Sequence, residues 1–428
     1  MLDNRSIESS VRSYCLAFAE EFDCAYGGKI FSAEGREYID FLMGCGSLNY
    51  GHNHEVLATA LKEYIGRRGV AMGLDLVTSA KIRFMDAFRD SILSRRQLDY
   101  RIQFTGPTGA NAVEAAVKLV RKVTGRHNVV AFTNGFHGCS LGALSLTGSA
   151  YHRAHSGPLL TNVTRMPYDG YFGPAVDTAA YLDKMLSDPS SGCDAPAAII
   201  FEAVQGEGGL NVASRQWAQR ICEVASKHGA LVIVDDIQAG CGRCGDFFSF
   251  EALGIRPDLV CLAKSISGFG LPMSLVLLKP ELDLWAPGEH NGTFRGNNLA
   301  FVTAAAAIET FWADDGFAQE VKNKGAWLED ALRELAATQD LSVKGRGLLL
   351  GIDTGDGETA QRLRSACFEQ GLIAETCGPH DEVLKLLPPL TVSYDELNAA
   401  LSILRAAFRQ VYGADRPAVE SRLAEVVK

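Results

Sequence analysis

The chain has 428 residues, 47% apolar and 21% charged, with a formal net charge of −10. This is the make-up of a globular protein of roughly two or three domains, and the acidic balance argues against nucleic acid as its main partner. No stretch reaches the roughly 18 apolar residues of a membrane span, and Met1 to Phe22 holds no uninterrupted signal-peptide core.

Residues 1–57 read as a helical opening followed by a small meander. Gly27-Gly28 leads into Lys29-Ile30-Phe31, and a polar turn at Glu34-Gly35-Arg36 precedes Tyr38 to Leu42. From 58 to 315, short apolar strands alternate with amphipathic helices. The strands are expected at 101–104, 128–132, 196–202, 230–236 and 258–263, the helices at 110–123, 214–228 and 299–313. That alternation means an α/β domain with a mostly parallel sheet covered on both faces. From 316 to 428 the pattern becomes α+β: helix 317–338, strands near 341–353, helix 357–370, strands near 372–388 and helix 393–412. The 11 cysteines, odd in number, are scattered from Cys15 to Cys377, and Cys222 and Cys261 sit in apolar runs. Free thiols in a reducing cytoplasm are the expectation.

In a parallel sheet, ligands bind at the rim formed by the C-terminal strand ends. After strand 101–104 comes Thr105-Gly106-Pro107-Thr108-Gly109-Ala110-Asn111, running into a helix whose first N–H groups suit a phosphate. After 128–132 comes Asn134-Gly135-Phe136-His137-Gly138, which could cover a flat ring or simply pack in the core. Strand 230–236 ends in Asp235-Asp236, a carboxylate placement that is costly unless a cation meets it. The next strand ends at Lys264, before the small-residue loop Ser265 to Gly270. A lysine there can be a partly desolvated amine suited to Schiff-base chemistry, or can reach along the surface into water. Gly240-Cys241-Gly242-Arg243-Cys244-Gly245 matches a dinucleotide fingerprint letter for letter, but it does not stand at a strand-to-helix turn. Cys241 and Cys244 have no second ligand pair nearby, so no metal site is read.

Together these pieces resemble the class III aminotransferases, the pyridoxal-phosphate family that includes ornithine and 4-aminobutyrate aminotransferases. Asp235 to Gly245 is similar to the family signature D-E-x-Q-x-G-x-G-R-x-G, and Lys264 follows at the family's spacing. The resemblance runs from Asp40-Phe41 with Gly51-His52 to Pro388-Pro389-Leu390. It implies a fold-type I transferase, with a large domain built on a seven-stranded sheet and a smaller α+β domain drawn from both chain ends. Lys264 would hold pyridoxal 5′-phosphate and shuttle the proton, and Asp235 would pair with the pyridine nitrogen. Gln238 would sit near the ring hydroxyl, and Phe136 and Ile237 would sandwich the ring. Thr108, Gly109 and Ala110 would hold the phosphate. Thr293 would reach the phosphate of a neighbouring subunit, which implies at least a homodimer.

Departures from the family pattern bear on the substrate. Cys139 stands where many relatives carry an arginine, Cys45 where ornithine aminotransferases carry a tyrosine, and Lys385 where an arginine often precedes Pro-Pro-Leu. Glu207 of the Gln-Gly-Glu-Gly-Gly run remains. Lys385 and Arg295 are candidates for binding substrate carboxylates, and either could instead brace a loop. The runs Leu48 to Asn53, Ser265 to Gly268, Thr293 to Asn298 and Met166 to Gly173 are similar to the diaminobutyrate–2-oxoglutarate aminotransferases. The expected reaction moves an amino group from L-glutamate to L-aspartate 4-semialdehyde. The rivals are an ω-aminotransferase for another diamine or ω-amino acid, an aminomutase on the same fold, and a non-catalytic binding protein.

Overall fold

The structure, a computed structural model, describes residues 7–413. Its centre is a seven-stranded sheet: β1 (Arg101–Phe104), β2 (Val129–Phe132), β3 (Val163–Met166), β4 (Ala198–Phe201), β5 (Leu231–Asp235), β6 (Leu259–Leu262) and β7 (Leu275–Leu278). The spatial order is β1-β7-β6-β5-β4-β2-β3. Only β7 runs antiparallel to its neighbours. The central strands are buried along their length because helices cover both faces, so their sequences are continuous apolar runs. One side packs helix α1 (Gly109–Thr124) through Val113, Val117 and Val120, and the other packs α2 (Arg215–His228) through Trp217 and Ile221.

Five of these strands stand where the sequence places them, within a residue or two. The other two, β3 and β7, are additions. Val-Thr-Arg-Met of β3 is half polar because it forms the sheet edge, which hides its strand pattern. β7 is a four-residue apolar run after a glycine-rich loop, too short to announce itself by periodicity.

The meander is a hairpin of Phe22–Tyr26 with Lys29–Ser32, continued by Glu37–Asp40. Glu37–Asp40 then pairs in parallel with Leu372–Ile373, so the two ends of the chain share one sheet. A second small sheet holds Ser342–Arg346, Leu349–Asp353, Val383–Leu386 and Glu375–Cys377. Helices Gly316–Ala337, Gly357–Glu369 and Tyr394–Tyr412 enclose a separate core around Leu328, Leu363 and Leu404. The expected helical opening is a single turn, Tyr14–Ala17, without a side-chain cap; its earlier part, residues 1–6, lies outside the described residues, as do 414–428 at the other end. Helix Glu55–Gly66 runs across residue 57 and lies against helix Asn298–Phe311. No helix among the described residues is long and apolar enough to cross a membrane.

Candidate active site

Asp235 is the last residue of β5 and pairs in parallel register with Cys261 on β6, three residues before Lys264. Adjacent strands therefore deliver an acid and an amine to one rim. Both border a cavity of about 180 Å³, whose walls include Gly109, Phe136, Glu207, Ile237 and Gln238.

Lys264 begins a short helical turn and has φ +52°, a left-handed backbone uncommon for a residue with a side chain. The turn is fixed from both sides. The Ser265 hydroxyl donates to the Gly46 carbonyl at 2.8 Å, and the Thr303 hydroxyl donates to that of Ser267 at 2.6 Å. The lysine is thus held in place by packing of its neighbours, which fits a functional position.

Asp235 is buried, and each of its oxygens has a partner. Oδ1 accepts from the Ile237 amide at 3.2 Å and Oδ2 lies 2.7 Å from His137 Nδ1. Burial alone would lower the basicity of His137, but the Asp235 carboxylate, with Glu202 nearby, more than reverses it, and the imidazole is pushed upward. Beside them Glu202 accepts from the amides of Phe136 and Gly206, at 2.9 and 3.2 Å, and so ties two pocket walls together. Burial raises its carboxyl to about 7. Sequence reading missed Glu202, and it gave His137 no bond to Asp235.

Thr108 caps α1 by accepting from the Asn111 amide, in a capping box with that residue. The first-turn amides of Gly109 and Ala110 have no intrahelical acceptor and face the cavity end of the helix. A Cβ on Gly109 would come within 2.9 Å of the Ile237 side chain, so glycine lets this loop lie close against that wall.

A second group of charges adjoins the cavity. Lys385 is fully buried and its Nζ donates to Glu207 Oε1 at 3.0 Å, Glu375 Oε1 at 2.9 Å and the Gly206 carbonyl at 3.1 Å. Burial pushes the Glu207 carboxyl up, but Lys385 and Lys264 pull it further down, to about 2. Cys45 Sγ stands 3.6 Å from Glu207 Oε1, and Gln238 Nε2 donates to that same oxygen at 2.9 Å.

The remaining sequence candidates lie apart from the cavity walls. Arg295 forms an ion pair with Asp75 at 2.7 Å, and Cys139 is exposed one residue beyond Gly138. Thr293 opens an exposed turn, and a Cβ on its neighbour Gly292 would lie 3.7 Å from Gly106, just before the phosphate-type loop.

Residues 16–408 match the model of the family described as aminotransferase class-III. The chain belongs to the class III aminotransferases. Among its relatives, a diaminobutyrate–2-oxoglutarate transaminase of Bordetella parapertussis is 52% identical, over 97% of this chain and 96% of its own length. One of the same description from Vibrio cholerae is 54% identical, over 93% of this chain and 97% of its own. An uncharacterized aminotransferase of Sinorhizobium fredii is 55% identical, over 93% and 90%. Among solved structures, the ornithine aminotransferase of Toxoplasma gondii, described with partial occupancy of pyridoxal phosphate, superposes with TM-score 0.82 at 26% identity, covering 96% of this chain and 93% of that one.

The cavity of this aminotransferase fits pyridoxal phosphate on its own evidence. It offers an amine, a carboxylate buried at its base and a helix start for an anion. It also holds one buried polar atom without a hydrogen-bond partner, Gln238 Oε1, where a ring hydroxyl can supply the missing donor.

Proposed function

We propose that the protein transfers an amino group from L-glutamate to L-aspartate 4-semialdehyde, giving L-2,4-diaminobutyrate and 2-oxoglutarate. The observation that carries this reading is the pairing of Lys264 and Asp235 at neighbouring strand ends in one cavity, in a chain about half identical to transaminases of that description. Pyridoxal phosphate, when bound, supplies an aldehyde that accepts the amino group and a ring that draws electrons from the bond being broken. Lys264 Nζ takes the proton from the substrate carbon and returns it on the other side of the exchange. The Asp235 carboxylate keeps the ring nitrogen protonated, with His137 holding that carboxylate in place. The amides of Gly109 and Ala110 and the Thr108 hydroxyl bind the phosphate, while Phe136 and Ile237 bracket the ring. Thr293 of a second copy completes the phosphate site, so the working unit is a homodimer. The eleven cysteines are all free, in keeping with a cytoplasmic protein.

Purified protein with pyridoxal phosphate, L-glutamate and L-aspartate 4-semialdehyde should form L-2,4-diaminobutyrate and 2-oxoglutarate in equal amounts. Faster turnover of another diamine or ω-amino acid in the same assay would reassign the substrate. Turnover with no external oxo acid would point to an aminomutase.

A further inference from the structure

The charges around Lys385 do not balance. Glu207 and Glu375 both bond to one ammonium, and the neighbouring Gln238, Tyr14 and Cys45 bring none. Burial favours the neutral thiol of Cys45. The next cation is Lys264, close enough to bear on Cys45, Glu207 and Glu375, but it is committed to the cofactor. One carboxylate therefore lacks a permanent counter-ion; burial and the neighbouring Glu207 push the Glu375 carboxyl up, so its charge is costly until a cation arrives from outside.

Glu375 is the carboxylate placed to receive it. Its Oε1 is taken by Lys385. Its Oε2 accepts from the Tyr14 hydroxyl at 3.1 Å and, among the described residues, otherwise has only the distant Cys45 thiol, at 4.0 Å. Glu375 is itself buried, and stands beside Cys45 and the cavity-lining Glu207. Cross-strand pairing with Lys385 fixes the backbone of Glu375. Cys45, Glu207 and Glu375 stand close enough to share a metal ion, but the Lys385 ammonium already bridges the two carboxylates.

We propose that Glu375, oriented by Tyr14, is the specificity-determining residue that binds the distal ammonium of a diamino-acid substrate. The inference rests on the reaction proposed above. In that reaction both L-aspartate 4-semialdehyde and L-2,4-diaminobutyrate carry an α-ammonium remote from the reacting carbon, whereas in L-glutamate the α-nitrogen is the one transferred. Glu375 then serves one half of the reaction and reads a group that a plain ω-amino acid lacks.

The probe pair is L-2,4-diaminobutyrate and 4-aminobutyrate, which differ only in the α-ammonium. Each is assayed as amino donor to 2-oxoglutarate with the holoenzyme. Wild-type enzyme should favour the diamino acid in kcat/KM, and Glu375→Gln should shrink that preference by about tenfold or more. Tyr14→Phe, at the exposed side of the pair, should shift the preference the same way by a smaller factor and serves if the first variant does not fold. A preference that changes less than about tenfold in a folded Glu375→Gln enzyme, or that Tyr14→Phe leaves untouched when only it folds, overturns the inference. If wild-type enzyme turns over 4-aminobutyrate but not L-2,4-diaminobutyrate, the proposed reaction itself is at fault.

Discussion

Two groups of acids stand at one cavity, which Asp235, Glu202 and Glu207 line with Glu375 beside Glu207, and they are built differently. Asp235 and Glu202 stand at the ends of adjacent strands of one sheet, and each carboxylate is held by a histidine or by backbone amides. Glu207 and Glu375 instead share a lysine, and the parts come from distant stretches of chain: a loop after β4, two short strands near the C-terminus and Cys45 from the N-terminal meander region. The first group is set by the sheet, so its geometry is as rigid as the fold's main core. The second depends on how the terminal elements dock, and single substitutions can re-tune it without touching the sheet.

That contrast can be broken experimentally, most sharply at the amine. Lys264→Ala should remove the visible absorbance of bound cofactor and cut turnover by about 10³-fold or more. Survival of both would leave the sheet-borne group without a function. Asp235→Asn should lower kcat/KM by about 10²–10³-fold. It should also lower the His137 titration from its wild-type position, because burial would then be opposed by Glu202 alone. An unshifted His137 signal in NMR would show that Asp235 does not govern that ring.

Lys385→Met tests the other group through stability. Two carboxylates would be left facing each other in a buried site, at a cost of about 3–5 kcal/mol in urea unfolding. The sign with pH follows from Glu207, whose carboxyl is depressed to about 2 in the folded wild type. Its contribution is present above the unfolded carboxyl range, near 4.3, and is lost as pH falls from there toward about 2. The gap between wild type and variant should therefore be widest near neutrality and narrow on acidification. A gap independent of pH would mean that the lysine acts by packing alone.

The sheet-borne group was legible in the sequence for the reason that makes it rigid. Continuous apolar runs ending abruptly in Asp235 and Lys264 mark buried strands whose polar ends must have a use. Glycine at 109, before an amphipathic helix, marks the anion loop in the same way. His137 was visible, but a histidine between glycines does not announce its partner across the sheet. Glu202 was hidden because one acid after an apolar strand resembles any strand end. Glu375 left no signal at all. It lies in a three-residue strand, and its meaning comes from Lys385 on the paired strand and from Tyr14, which is 361 residues away in sequence. Lys385 itself was named as a carboxylate binder, and the structure shows that two of the protein's own acids occupy it first.

The parallel pairing of Glu37–Asp40 with Leu372–Ile373 has a bearing on how the molecule comes into being. On a ribosome the amino-terminal stretch emerges long before its strand partner exists, and must wait while the central sheet assembles. Cys45 and Tyr14 reach their places only when nearly all of the polypeptide has been synthesised. A nascent chain cut short before residue 372 would hold a nearly finished cofactor cleft with no substrate end.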